Sequence, residues 1–231
     1  MSRVRVLALV AALACAFLAG CRSDPNVAAY LGDGAVTIEE VGSVAADLTF
    51  APAQRGQVTG YVLGSMIIRD VGRRLAAERS LTVRQETTPG MVAQYYDLPA
   101  DARIVTLVTD TQNVLLTLAA AVTPVEPDRD QQRAAFDALF FASGRPVSER
   151  YAFEQVQYLL NRDSIGRMIA LRQLLDDAVA ASGITVNPRY AGLTYGLPVE
   201  VRLGQNGGPA RASILVHLTV DEVSAVSAEE A

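Results

Sequence analysis

Val27-Ala28-Ala29-Tyr30-Leu31-Gly32-Asp33-Gly34-Ala35-Val36-Thr37-Ile38-Glu39-Glu40-Val41 changes its local character twice. Two short apolar runs, Val27 to Leu31 and Ala35 to Thr37, flank Gly32-Asp33-Gly34. An Asp-Gly pair between such runs signals a tight hairpin, because glycine reaches the positive φ that the turn needs. Thr37-Ile38-Glu39-Glu40 then has the spacing of a capping box, in which a Thr hydroxyl and a Glu three residues later satisfy exposed amides at a helix start. A strand, a turn, a second strand and a capped helix from Ile38 to about Phe50 are expected.

Downstream the period stays helical for most of the chain. Ala51-Pro52 breaks it, and a helix from about Arg55 to Arg79 places Val58, Val62, Met66, Ile67, Val71 and Leu75 near helical spacing. Gly56, Gly60 and Gly64 share one face of it, at about 1 kcal/mol of helix propensity each, so close approach of another helix is expected there, within the chain or across a dimer. Thr87-Thr88-Pro89-Gly90 opens a further region, with helices at Met91 to Tyr96, around Ala102 to Thr109 and at Gln112 to Ala121. A helix from Asp128 to about Ala142, a Gly144-Arg145-Pro146 turn, and helical segments through Leu160 and from Ser164 to Ser182 come next, the last closed by Gly183. Beyond Asn187-Pro188-Arg189-Tyr190 the period becomes two: Val199, Val201 and Leu203 alternate with Glu200 and Arg202, as in a strand. Gln205 to Pro209 reads as a turn and Ala212 to Val220 as the partner strand, before an acidic tail, residues 221–231, that is expected to fray.

Upstream of the hairpin, Arg3 and Arg5 precede an unbroken apolar run from Val6 to Ala19. That is the charged n-region and short h-region of a secretory signal, and at about 14 residues it is too short for a bilayer span. It ends Leu18-Ala19-Gly20-Cys21, which resembles the bacterial lipobox, where a small residue precedes the cysteine that is lipidated before cleavage. The resemblance implies that residues 1–20 are removed and that Cys21 carries the acyl chains, palmitate among them. The expected product is a lipoprotein anchored on the extracytoplasmic face of the cell membrane without spanning it. Residues 21–26 make a linker of at most about 20 Å. Cys15, the other cysteine, lies within the leader, so no disulfide within one mature chain is expected.

All twenty basic residues are arginine, against 25 acidic ones. Loss of Arg3 and Arg5 makes the balance 18 against 25, a net −7, which disfavours nucleic acid as a partner. The apolar stretch from Ile104 to Val122 contains Asp110, Gln112 and Asn113 at its centre, each costly in hydrocarbon. It reads as a helix of a soluble core.

The start of the mature chain, Val27 to Val41, looks like the opening of SurA-type chaperone domains, and the helix from Val58 to Arg79 is similar to the long second helix of those domains. Ile184-Thr185-Val186-Asn187-Pro188-Arg189-Tyr190, after a long helix, resembles the element closing SurA-N-like lipoproteins of high-GC Gram-positive bacteria. Ala191 stands where that pattern has glycine, and the chain has no tryptophan after it. The resemblance implies a mainly α fold, a SurA-N-like helical domain over residues 27–192 with small antiparallel hairpins at its ends, the C-terminal one over 193–220. It also implies a chaperone that binds unfolded segments of exported polypeptides.

Related foldases insert a parvulin-type prolyl isomerase with paired histidines. Here His217 is the one histidine, flanked by Val216 and Leu218 in an alternating strand, which reads as a strand-surface residue. There is no Gly-x-Ser-x-Gly, and Ser-x-x-Lys is impossible without lysine. Glu126, Asp128 and Asp130 lack the glycine of a calcium loop and suit a helix N-terminus, while Asp176-Asp177 and Glu229-Glu230 read as solvated surface. The expectation is a non-enzyme with no cofactor and no metal. Tyr61, Met66, Tyr95, Tyr96, Phe140 and Phe141 are the candidate peptide-binding residues, since methionine and aromatic side chains adapt to varied partners; Tyr151 and Tyr158 are of the same kind. The competing expectation is an assembly lipoprotein that binds one dedicated envelope partner.

Overall fold

Residues 24–32, 34–203 and 208–219 are described by the computed structural model of the chain. β1 (Val27–Leu31) and β2 (Gly34–Thr37) pair antiparallel. At the start of α1 (Ile38–Ala45), the Glu40 N–H donates to the Thr37 hydroxyl at 3.1 Å and the Thr37 N–H donates to the Glu40 carboxylate at 2.7 Å, so the capping box is complete. α1 stops short of the expected Phe50. Asp47 and Leu48 close tighter turns onto the carbonyls of Val44 and Ala45, and the Asp47 carboxylate accepts the Ile104 N–H at 3.2 Å instead. It thereby caps a later helix whose own N-cap residue, Ala102, has no side-chain acceptor.

α2 (Arg55–Glu78) matches the expected bounds, but its glycine face meets strands rather than a helix. A β-carbon at Gly60 would lie 3.6 Å from Leu193, and one at Gly64 would lie 3.4 Å from Leu218 and 3.5 Å from Tyr195, while at Gly56 nothing comes within 4 Å. The close helix contact is at Gly72, where an added β-carbon would overlap the Val114 side chain. Val114 belongs to α4 (Arg103–Ala121), which comes after α3 (Pro89–Tyr96).

The two helices expected at 102–109 and 112–121 are this one helix. Asp110, Asn113 and Thr117 find partners without breaking it, while the buried Thr109 hydroxyl has none among the described residues. Asn113 accepts the Thr87 N–H at 2.8 Å and donates to the Thr87 carbonyl at 2.9 Å, and the Thr117 hydroxyl accepts the Arg84 N–H at 2.9 Å. Asp110 pairs with Arg73 at 2.8 Å. Side chains of α4 thus do for the extended segment before α3 what a neighbouring strand would do. By length and composition α4 could cross a membrane, yet 67% of its most apolar window is buried inside the fold.

The next region is more broken than its sequence suggests. α5 (Arg129–Asp137) is capped by Asp128, whose carboxylate accepts the Gln131 N–H at 2.8 Å. It ends well before Ala142, because Phe140–Phe141 form β3 and the turn at Gly144 returns Arg145 to hydrogen-bond with Phe141. α6 (Phe153–Val156) and a wide turn over Arg162–Gly166 lead into α7 (Arg167–Ala181), which therefore begins after the expected Ser164. Gly183, at φ +58°, ends it as expected.

β4 (Thr185–Val186) returns to pair with β1, giving the sheet order β2-β1-β4, and Asn187 fastens the join by donating from its side chain to the Val27 carbonyl at 2.9 Å. β5 (Thr194–Arg202) and β6 (Pro209–His217) form the second sheet with β3, in the order β3-β6-β5. The chain is mainly helical, and both expected hairpins are parts of three-stranded antiparallel sheets.

Two apolar cores result. The first gathers Ile67, Ile68, Leu118 and Leu175 around α2, α4 and α7. The second gathers Phe136, Leu139, Phe153 and Ile165. The β5–β6 hairpin enters both, with Tyr195, Leu197, Val216 and Leu218 in the first and Val199, Val201, Leu203 and Ala210 in the second. The leader, Cys21, Asp33, most of the Gln205–Pro209 turn and the acidic tail lie outside the described residues.

Candidate functional site

β6 turns alternate backbone groups to opposite sides, and two hydrogen bonds fix which side is which. The Leu218 N–H donates toward β5, to the Leu193 carbonyl at 3.0 Å, whereas the His217 N–H donates away from β5, to Asp176 Oδ1 at 3.1 Å. By that alternation the N–H and C=O of Ser213 and Leu215 also face away from β5. At one end this outer edge is covered by β3, with Phe140 opposite Arg211 and Phe141 opposite Ala210. At the other end Asp176 of α7 covers it. Between them about 15 Å of edge, residues 212–216 at ~3.3 Å each, has no strand beside it among the described residues.

That gap opens on a solvent-connected groove. Leu139, Leu160, Ile165, Ile169, Val199 and Ile214 line it, with Ala134 and Ala135 of α5 and Ala138 at its C-terminal cap as a small-residue side. Gln131, Arg172, Ala212, Ser213 and Leu215 complete the lining. Leu215 is 48% exposed on a strand face otherwise given to Arg211, Ser213 and His217. Arg172 alone is charged among the described residues of the lining. Its Nε lies 3.7 Å from Asp176 Oδ2, too far for a hydrogen bond, and although shielded from solvent it has no hydrogen-bond partner. Asp176, expected as plain surface, is thus both the cover of the strand end and a loose counter-ion.

None of the six candidate binding residues lines the groove, and they do not converge. Met66 is buried in the first core, and Phe140 and Phe141 stand in β3 beside Tyr151, with Phe140 stopping just short of the groove. Tyr61, Tyr95 and Tyr96 do gather. The Tyr61 and Tyr96 hydroxyls are hydrogen-bonded at 3.1 Å, Tyr61 stacks on Tyr195 with centroids 6.4 Å apart, and Tyr95 meets Tyr96 edge-on at 5.1 Å. Tyr61 and Tyr195 are largely buried there. Burial pushes the Tyr195 hydroxyl up to about 12, with Tyr96 adding to the rise and the Ser65 hydrogen bond opposing it. Burial also raises Tyr61 strongly, and its hydrogen bond to Tyr96 adds to that rise. This is a packed polar node, with Tyr95 and Met91 exposed at its margin.

Among the described residues no three His, Cys, Asp or Glu side chains are grouped to hold a metal ion. His217 is exposed on the outer strand face. The sequence does carry one sign of the groove: Ile214-Leu215-Val216 interrupts the alternation of β6 with an apolar residue on the polar face. Compared with protein-family models, with curated proteins and with solved structures, the chain matches none.

Proposed function

We propose that the protein is a non-enzymatic, chaperone-like binder of extended segments of exported polypeptides, tethered by lipid on Cys21 at the extracytoplasmic face of the cell membrane. The observation that carries this reading is the stretch of β6 that no described strand pairs with, beside an apolar groove. An extended chain can add itself as a strand to such an edge. Its main chain then supplies sequence-independent hydrogen bonds, while the groove takes alternate apolar side chains. Two free strand residues and a shallow groove suit weak, exchangeable capture rather than a permanent complex.

The anchoring part rests on the leader and on Leu18-Ala19-Gly20-Cys21. The short stretch from Cys21 to Asn26 would keep the groove close to the membrane, where polypeptides emerge unfolded. The SurA-like reading is supported by the way its two diagnostic segments meet, with Thr185–Val186 completing the sheet begun by Val27–Leu31.

The test is light scattering of two unrelated unfolding proteins with and without residues 22–231 of this chain. Suppression of both aggregations at near-stoichiometric amounts is expected. Ser213→Pro removes an N–H that faces the gap but leaves the β5–β6 ladder intact, since proline is tolerated on a strand edge, and it is expected to abolish suppression. If a folded chain protects neither protein, the reading fails and a dedicated envelope partner takes its place.

A further inference from the structure

We infer that the groove selects, among extended apolar segments, those that place a carboxylate beside β6, and that Arg172 is the group that reads it. The inference rests on the groove being a peptide site and names the chemistry of its occupant. Arg172 is the one charged side chain in a lining that is otherwise apolar apart from Gln131 and Ser213. Its Nε is withdrawn from solvent and donates no hydrogen bond. Asp176 is its ion-pair partner but accepts no hydrogen bond from Nε, since one carboxylate oxygen accepts the His217 N–H and the other stays 3.7 Å away.

A guanidinium is a planar fork of donors that matches a carboxylate. Apolar walls strengthen such a pair relative to water, and they penalise a segment that brings a second cation to the same place. The groove thus complements an acidic or acid-terminated strand and disfavours a basic one. The carboxylate has two sources, the C-terminus of a polypeptide or an Asp or Glu side chain, and both present the same two oxygens.

Fluorescence anisotropy with the full chain in mild detergent micelles separates these cases. Four labelled peptides share one apolar extended sequence and differ in one group: a free C-terminal acid, a C-terminal amide, an amide with a central Glu, and an amide with a central Lys. One or both carboxylate peptides are expected to bind about tenfold more tightly than the plain amide, a typical worth of one charge-assisted pair, and the Lys peptide more weakly. Whichever acid gains identifies the source. Arg172→Gln is expected to bring the acids down to the affinity of the amide, and Asp176→Asn, which keeps an acceptor for the His217 N–H, to raise acid binding severalfold. Should Arg172→Gln fail to fold, the Asp176→Asn shift tests the same assignment. Equal binding of all four peptides overturns the role of Arg172 and leaves the groove standing. Absence of binding by any of them overturns both.

Discussion

At Gly72 the helices α2 and α4 approach so closely that no β-carbon fits between them, whereas at Ala134 and Ala138 the second core falls away into an open groove. The first core is made of long regular helices in which, among the described residues, the interior polar groups of Asn113, Thr111 and Thr117 have partners and the Thr109 hydroxyl does not. The second is assembled from short helices, a two-residue strand and a wide turn around Phe136, Phe153 and Leu139. Interiors packed to crystal density transmit strain and resist change of shape, so the helical core suits a frame. A core with one wall of alanines has room for another chain. The β5–β6 hairpin crosses from one to the other and links them.

Leucine truncation should separate the two cores most strongly. Leu118 and Leu139 are both essentially inaccessible, yet only Leu139 adjoins the groove. Leu118→Ala is expected to lose about 3–5 kcal/mol, the upper part of the range for cavities that cannot collapse, and Leu139→Ala about 2 kcal/mol, because its surroundings can relax into the opening. Chemical denaturation of both variants measures this, and equal losses would erase the distinction. Asn113→Leu should cost about 3 kcal/mol by stranding the Thr87 N–H and C=O, with faster amide exchange in the extended segment before α3 and little change in β6.

The tyrosine node allows a test by pH. Tyr195 and Tyr61 keep their protons in the folded chain well above the ordinary value near 10. The unfolded chain therefore releases protons first as the pH rises, and the contribution of these two groups should be constant below about pH 10 and fall by about 4–5 kcal/mol towards pH 12, roughly half of it from Tyr195. Denaturation midpoints at several alkaline pH values would track this, and Tyr195→Phe should flatten the slope. The smallest effect on stability is expected for Leu215→Lys, within about 0.5 kcal/mol for a half-exposed strand residue, together with loss of aggregation suppression.

Much of the frame was legible because its signals are local. Thr37 and Glu40 announce the start of α1, Gly183 the end of α7, and the period of α2 its full length. The partners of Asp110 and Asn113, Arg73 and Thr87, come from distant parts of the chain and were not legible, and neither was the continuity of α4 across residues 110–111. Phe140–Phe141 read as helix because the strand that recruits them, β6, lies about seventy residues further on. Of the aromatic residues singled out as a binding surface, Tyr95, Phe140 and Tyr158 are exposed and Tyr61, Tyr96, Phe141 and Tyr151 are half-buried, and none of them lines the groove. The groove is made instead by small residues at the end of α5 and a strand edge that no described strand pairs with, which no residue type declares. Only Leu215, apolar on a polar face, and Arg172, within the apolar stripe of α7, hinted at it.

Residue-resolved amide exchange of the chain, alone and with an unfolded client polypeptide, tests pairing at the β6 edge most directly. Edge pairing predicts that the amides of Ser213 and Leu215 become protected on binding, while those of Ala212 and Ile214, already paired with β5, do not change. Protection confined to other surfaces, such as that around Met91 and Tyr95, with Ser213 and Leu215 still exchanging freely, would contradict it.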